Sequence, residues 1–272
     1  MVDSRQAGRL EAGDPSARLA VLIDADNAQA SMIKGLLAEV ARIGEATVKR
    51  IYGDFTSPQT SQWKKVLNQH SIKPVQQFAY TTGKNATDST LIIDAMDLLY
   101  TRRFDGFCLV SSDSDFTGLA VRIREEGLFV LGVGEQKTPE AFRNACHKFV
   151  FTDVLHEVPT EAAAAAAGER KKAAKASGAS PAAAAAAGKE TSRRTLPKKF
   201  MLQALEEAVD DSGWAHLGAF GSYLNKLQPD FDPRLYGHKK LSSLVKAHSK
   251  VFEVDEREAP GGNGKDLYIR AR

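Results

Sequence analysis

Short apolar runs that stop abruptly at polar residues alternate, over residues 18–155, with stretches whose apolar positions recur every three or four residues. Leu19 to Ile23 is the first run and ends at Asp24, followed by Ala25, Asp26 and Asn27. Val and Ile suit a pleated, buried surface, so the run predicts a short strand. Met32, Ile33, Leu36, Leu37 and Val40 then mark a helix over 30–43, with Gly44 as its stop. Residues 46–54 alternate as a second strand, and Trp63, Val66 and Leu67 mark a helix over 59–69. Residues 72–80 predict a third strand, which Pro74 assigns to a strand start or an edge. Thr87 is the expected cap of a helix reaching Tyr100, with Leu91, Ile92, Ala95, Leu98 and Leu99 on its face. A strand over 105–113, a helix from Phe116 to Glu126 closed by Gly127, a strand over 128–134, a helix over 139–144 and a last strand over 148–155 complete the series. Strands alternating with helices at this spacing predict an α/β fold: a mostly parallel sheet with helices on both faces.

The pattern then breaks. Residues 159–194 are rich in Ala with Lys, Gly and Pro and have nothing with which to build a core. After them, Leu196–Val209, 217–227 and 238–249 show helical apolar spacing, and 250–254 and 266–270 alternate as strands around a Gly-rich loop. Three helices followed by a hairpin is the order of a small winged helix-turn-helix domain. The reading is therefore a flexible tail (1–17), an α/β domain (18–155), an Ala-rich flexible linker (156–194) and a second domain (195–272), the two domains tumbling separately.

Composition adds limits. No apolar stretch reaches the length of a membrane span. The first eighteen residues contain no apolar segment of a secretory signal, and Cys108 and Cys146 are the only cysteines, so the expectation is a cytoplasmic protein with no zinc site. The net charge is +3, unevenly placed: 18 basic and 20 acidic residues up to Thr160, then 19 and 14. The basic excess of the second half favours an anionic partner there.

Candidate chemistry lies where strands end. Asp24 follows the first run, and Asp113 and Asp115 follow FCLVSS. In parallel α/β sheets ligands bind at the carboxyl ends of strands. Carboxylates gathered there repel one another unless a hard divalent cation binds them. Each residue also has a plainer reading. Asp24 or Asp115 caps a following helix; Asp88 complements a helix dipole; Asp94 and Asp97, off the apolar face, are solvated or sit behind the ligands. Lys84 is a phosphate contact or a solvated loop residue, and Phe55 and Tyr80 stack on bases or pack in the core. In the second domain, Arg234, Tyr236, Lys239 and Lys240 are candidates for a nucleic-acid surface on which Tyr236 stacks on a base. The alternative there is a solvated helix face with Tyr236 packed inside.

VLIDADN, KNATDSTLIIDAMDLL and CLVSSDSDF, taken in order, resemble the NYN domain, a PIN-like nuclease fold, in its LabA-like (DUF88) branch. Residues 196–270 resemble an OST-HTH (LOTUS) domain. The resemblance implies a metal-dependent ribonuclease using Mg²⁺ or Mn²⁺. It implies Asp24, Asp88, Asp113 and Asp115 as ligands, Asn27 and Asp94 as supporting residues, and RNA as the partner of the C-terminal domain, or in some members a protein. The mechanism expected is metal-assisted hydrolysis of a phosphodiester. The rival reading is a non-catalytic adaptor that binds RNA or recruits protein and keeps a vestigial acidic pocket.

Overall fold

A computed structural model describes residues 16–56, 62–78, 86–155, 194–210, 212–258 and 265–272. The tail, the linker, Lys84 and Tyr80 fall on residues outside these, apart from Ser16, Ala17 and Arg194. The first domain runs β1 (Arg18–Asp24), α1 (Ile33–Val40), β2 (Glu45–Gly53), α2 (Trp63–His70), β3 (Lys73–Gln76), α3 (Ala86–Tyr100), β4 (Gly106–Val110), α4 (Thr117–Glu125), β5 (Phe129–Gly134), α5 (Glu140–Ala145) and β6 (Lys148–Phe151). The six strands form one parallel sheet in the order β3-β2-β1-β4-β5-β6. This is the α/β fold, a parallel sheet with helices on both faces, that the sequence predicts.

The two-residue period of a strand divides the core. Leu19, Val21 and Ile23 face α1 and α2, meeting Ile33, Leu36, Val40, Trp63 and Leu67. Ala20 and Leu22 face the other way, among Leu91, Ala95 and Leu98 of α3 and Leu119 and Ile123 of α4. The chain lays β2 and β3 to one side of β1, and α3 then carries it back across the sheet to start β4 on the other side. The strand order therefore reverses between β1 and β4, which opens a crevice at their carboxyl ends.

Local details differ from expectation. Thr87 lies inside the first turn of α3 rather than before it. Residues 152–155 form a 3-10 turn instead of extending β6. Gly127 does close α4, in the left-handed conformation (φ 77°) that glycine adopts without a Cβ clash. Pro74 sits, as expected, on the edge strand β3.

The second domain comprises α6 (Lys198–Glu206), β7 (Ala215–His216), α7 (Leu217–Leu227), a 3-10 turn (Pro233–Tyr236), α8 (Leu241–Ala247), β8 (Phe252–Glu258) and β9 (Lys265–Ala271). Met201, Leu205, Phe220, Leu224, Leu244, Val245, Phe252 and Ile269 form its core. The hairpin is joined by β7, too short at two residues to leave a period in the sequence. Helix α8 begins at Leu241 because Lys240 is still extended, so His238, Lys239 and Lys240 precede the helix rather than opening it.

The structure places the two domains in contact, where the sequence predicts separate tumbling. The Phe149 N–H on the edge strand β6 donates to the Pro229 carbonyl (2.8 Å). Arg143 pairs with the buried Asp230, and Arg234 with the buried Glu39 of α1. Leu235 packs against both cores of the first domain. The segment 229–235 thus covers a sheet edge that would otherwise present unpaired backbone groups. Among the described residues, no helix is long and apolar enough to cross a membrane.

Candidate metal centre

Asp24 ends β1 beside the point of reversal and is fully buried. Its carboxylate is well supplied with donors: the Asp26 N–H reaches Oδ1 (3.0 Å), while the Asn27 side-chain amide (2.7 Å) and the Ser111 hydroxyl (2.8 Å) reach Oδ2. A buried carboxylate is tolerated when hydrogen bonds satisfy it in this way. Ser111 sits just past β4 and works in both directions, since its Oγ also accepts the Asp113 N–H (3.1 Å). It therefore ties the end of β1 to the loop that carries the second acidic pair.

In that loop Asp113, not Asp115, is the capping residue. It occupies the N-cap of the 3-10 turn Ser114–Phe116 and accepts the Asp115 N–H (3.0 Å). Asp115, in the first turn, remains exposed. Asp88 arrives from a third direction. Because α3 is the crossover leaving β3, its N-terminus lies at the carboxyl edge of the sheet, and Asp88 is in its first turn. One carboxylate oxygen from each of Asp88, Asp113 and Asp115 lies within 4.8 Å of the other two. Burial, then the charges of Asp24, Asp113, Asp115 and Asp26, push the Asp88 carboxyl up to about 6. Asp26, which is exposed, is also raised, first by burial of its carboxyl and then by Asp24 and Asp54.

The expected residues therefore separate into groups. Asp88, Asp113 and Asp115 converge; Asp24 stands outside that trio but close enough to raise Asp88. Asn27 supports Asp24. Asp94 is elsewhere: its carboxylate takes the Arg50 guanidinium and the buried Tyr52 hydroxyl, both from β2. Burial and that carboxylate keep the Tyr52 phenol protonated. Asp94 is neither solvated nor a member of the trio; it fastens α3 to the sheet. Two participants lie outside the sequence expectation. Ser111 carries no signal beyond its place before Asp113. Asp54, at the end of β2, accepts from Thr56 and Gln76 and lies close enough to act on Asp26; the same strand-then-acid pattern that marks Asp24 would have found it.

The donors fit a hard cation. Three carboxylates, with neither thiol nor imidazole among them, match Mg²⁺ or Mn²⁺ rather than zinc. Burial first, and then the neighbouring aspartates, disfavour the charged form of Asp88 where no counter-charge is present.

The expected RNA surface divides as well. Lys239 and Lys240 are exposed. Arg234 is not available for base or phosphate contact as expected, because its guanidinium is held by Asp232 and Glu39. Tyr236 is half-buried, packs against the domain core and lies 5.7 Å from the Phe231 ring, which matches the packed alternative rather than an exposed stacking platform.

Comparison with known proteins bears on both domains. The NYN domain family model matches residues 18–155, just over half of the 272 residues, and the OST-HTH/LOTUS domain model matches residues 195–263. No curated protein matches the chain. Among solved structures, the chain is similar to an uncharacterised protein of Nitrosomonas europaea (56% identity, 35% of this chain and 89% of that one, TM-score 0.29). It is also similar to a Chromobacterium violaceum protein (38% identity, 30% and 85%, TM-score 0.24) and to a Vibrio parahaemolyticus protein of unknown function (19% identity, 51% and 94%, TM-score 0.43).

Proposed function

Since the chain belongs to the NYN domain family, whose PIN-like fold is a nuclease fold, we propose that it is a metal-dependent ribonuclease whose OST-HTH domain recruits the RNA substrate. The observation that carries this reading is the convergence of Asp88, Asp113 and Asp115 at the reversal point of the sheet. These three carboxylates, with that of Asp24 beside them, would hold Mg²⁺ or Mn²⁺. When bound, the metal supplies a water of lowered pKa and stabilises charge on the phosphate oxygens. The protein's part is positional. Ser111 and Asn27 fix Asp24, and Ser111 also holds the Asp113 backbone. Asp94, through Arg50 and Tyr52, fixes the helix that presents Asp88.

The domain division at 18–155 and 195–272, joined by 156–194, is part of the same proposal, as is cytoplasmic location, for which two buried free thiols are suited. Burial pushes the Cys146 thiol up to about 12 and the Cys108 thiol higher still, so neither is a nucleophile. The decisive experiment incubates the purified protein with a mixed RNA pool in Mg²⁺, Mn²⁺ or EDTA, beside Asp113→Asn. Cleavage with metal, none in EDTA and a loss of orders of magnitude in the variant are expected. Equal cleavage by wild type and variant, with contamination excluded, overturns the acidic site as the catalytic centre, and no cleavage by the wild type with either metal leaves the non-catalytic RNA adaptor.

A further inference from the structure

The contact between the domains leaves a cleft of about 370 Å³. Its walls carry Arg42 and Lys148 from the first domain and Arg234, Lys239 and Lys240 from the second. Two carboxylates oppose these five cations. Glu39, buried, is met by Arg42 (2.8 Å), Lys148 (3.6 Å) and Arg234; Asp232 is met by Arg234 (2.6 Å). Five positive and two negative groups leave an excess of three positive charges in one concave place. A concave site with low-dielectric walls concentrates such a field. Arg234 is occupied by the carboxylates, whereas Lys239 and Lys240 are exposed and Arg42 keeps 65% of its side chain in solvent.

We propose that this interdomain cleft holds the phosphodiester backbone of single-stranded RNA, with Arg42 and Lys148 of the NYN domain as phosphate contacts that complete the surface begun by Lys239 and Lys240. The proposal rests on the RNA-recruiting reading of the OST-HTH domain. It adds that the first domain binds RNA far from its acidic trio. Arg42 lies between α1 and β2, at the amino end of the sheet, while Asp24 and Asp113 lie at the carboxyl end. A β1-length strand separates the two, a span of roughly 20 Å. A bound RNA therefore reaches the trio only by running along the first domain. Among the described residues, the cleft lining has no aromatic ring exposed for stacking, since Phe231 is buried, so this surface reads backbone charge and not base identity.

The test uses the full chain in EDTA with a fluorescein-labelled single-stranded RNA 20-mer of mixed sequence, titrated at several salt concentrations. The Arg42→Ala/Lys148→Ala variant should bind about tenfold more weakly at low salt, and each phosphate-binding cation removed should flatten the log Kd–log salt slope by about 0.7. Lys148→Gln, which keeps the stem of the side chain, should show the change expected for one cation with an unaltered melting temperature. Lys65→Ala, on α2 beside the opposite sheet edge, removes an equal charge and should leave the slope unchanged. Wild-type slope in the Arg42/Lys148 variant, together with weaker binding by Lys239→Ala/Lys240→Ala, overturns the cleft and keeps recruitment by the OST-HTH domain. Wild-type binding in both variants overturns the recruitment reading itself. Competition by inorganic phosphate at matched ionic strength would mark a small-anion site and also overturns the proposal.

Discussion

At Asp88 a carboxyl with an ordinary value near 3.8 is pushed up to about 6, first by burial and then by four neighbouring aspartates. The folded protein then holds this proton more tightly than the unfolded chain does, so ionisation disfavours the fold. The penalty is absent below about pH 4, grows as pH rises through 6 and is complete above it. Asp88→Asn should therefore stabilise the metal-free protein at pH 8, by about 1 kcal/mol once solvent screening of a half-exposed group is allowed for, and should do nothing at pH 4. Thermal melts at the two pH values, with and without Mn²⁺, test this; equal melting temperatures for variant and wild type at pH 8 would sink it. Ser111 is the other informative residue. Ser111→Ala removes one donor from the buried Asp24 carboxylate and the acceptor of the Asp113 N–H. It should cost about 1–3 kcal/mol in urea denaturation and lower activity further by freeing the Asp113 loop. Asp24 and Asp113 were legible in sequence because a carboxylate that interrupts an apolar run is conspicuous. Ser111 was not, because one serine among several before Asp113 gives no hint of which one reaches across to another strand.

Among the elements, α3 matters most. It is the crossover that reverses the strand order, and it carries Asp88 at one end and Asp94 nearly two turns later. Its anchor on β2 is the Asp94 carboxylate, shared by Arg50 and the buried Tyr52 hydroxyl. Tyr52→Phe removes one of these bonds without opening a cavity, and Asp94→Asn weakens both. Expected losses are about 1 kcal/mol for the first and about 2–3 kcal/mol for the second, since hydrogen bonds to charged groups are the stronger kind. If α3 positions Asp88, both variants should also bind Mn²⁺ more weakly, as calorimetry would show; lost stability with unchanged Mn²⁺ affinity would reduce the anchor to a purely structural role. The α3 face was readable from its apolar spacing. The fate of Asp94 was not, because a polar residue off that face looks solvated until a neighbouring strand is known to carry its partners.

Over the whole molecule, the second domain sits against β6 and α1 through Glu39–Arg234, Asp230–Arg143 and the Pro229 carbonyl. Arg234 ties the second domain to Glu39, whose other partners, Arg42 and Lys148, belong to the first domain, and its removal also leaves the buried Asp232 without its guanidinium. Arg234→Ala should therefore release the domain, raising the radius of gyration in small-angle scattering and exposing residues 229–235 to protease; an unchanged radius would show that the remaining contacts suffice.

Sequence alone determined the alternation of strands and helices, the parallel sheet, the order of the second domain and the carboxylates at strand ends, because these follow from local periodicity and from abrupt changes of polarity along the chain. Tertiary structure alone decided which acids meet. Asp88 joins Asp113 and Asp115 because a crossover helix starts at the edge where β1 and β4 end, while Asp94 turns to Arg50 and Tyr52. It also decided that Arg234 serves the contact between domains and that Arg42 and Lys148 face Lys239 and Lys240 across a cleft. Those interdomain pairings join residues about 90 to nearly 200 positions apart. Periodicity reports which face of an element is buried, but not which distant surface buries it.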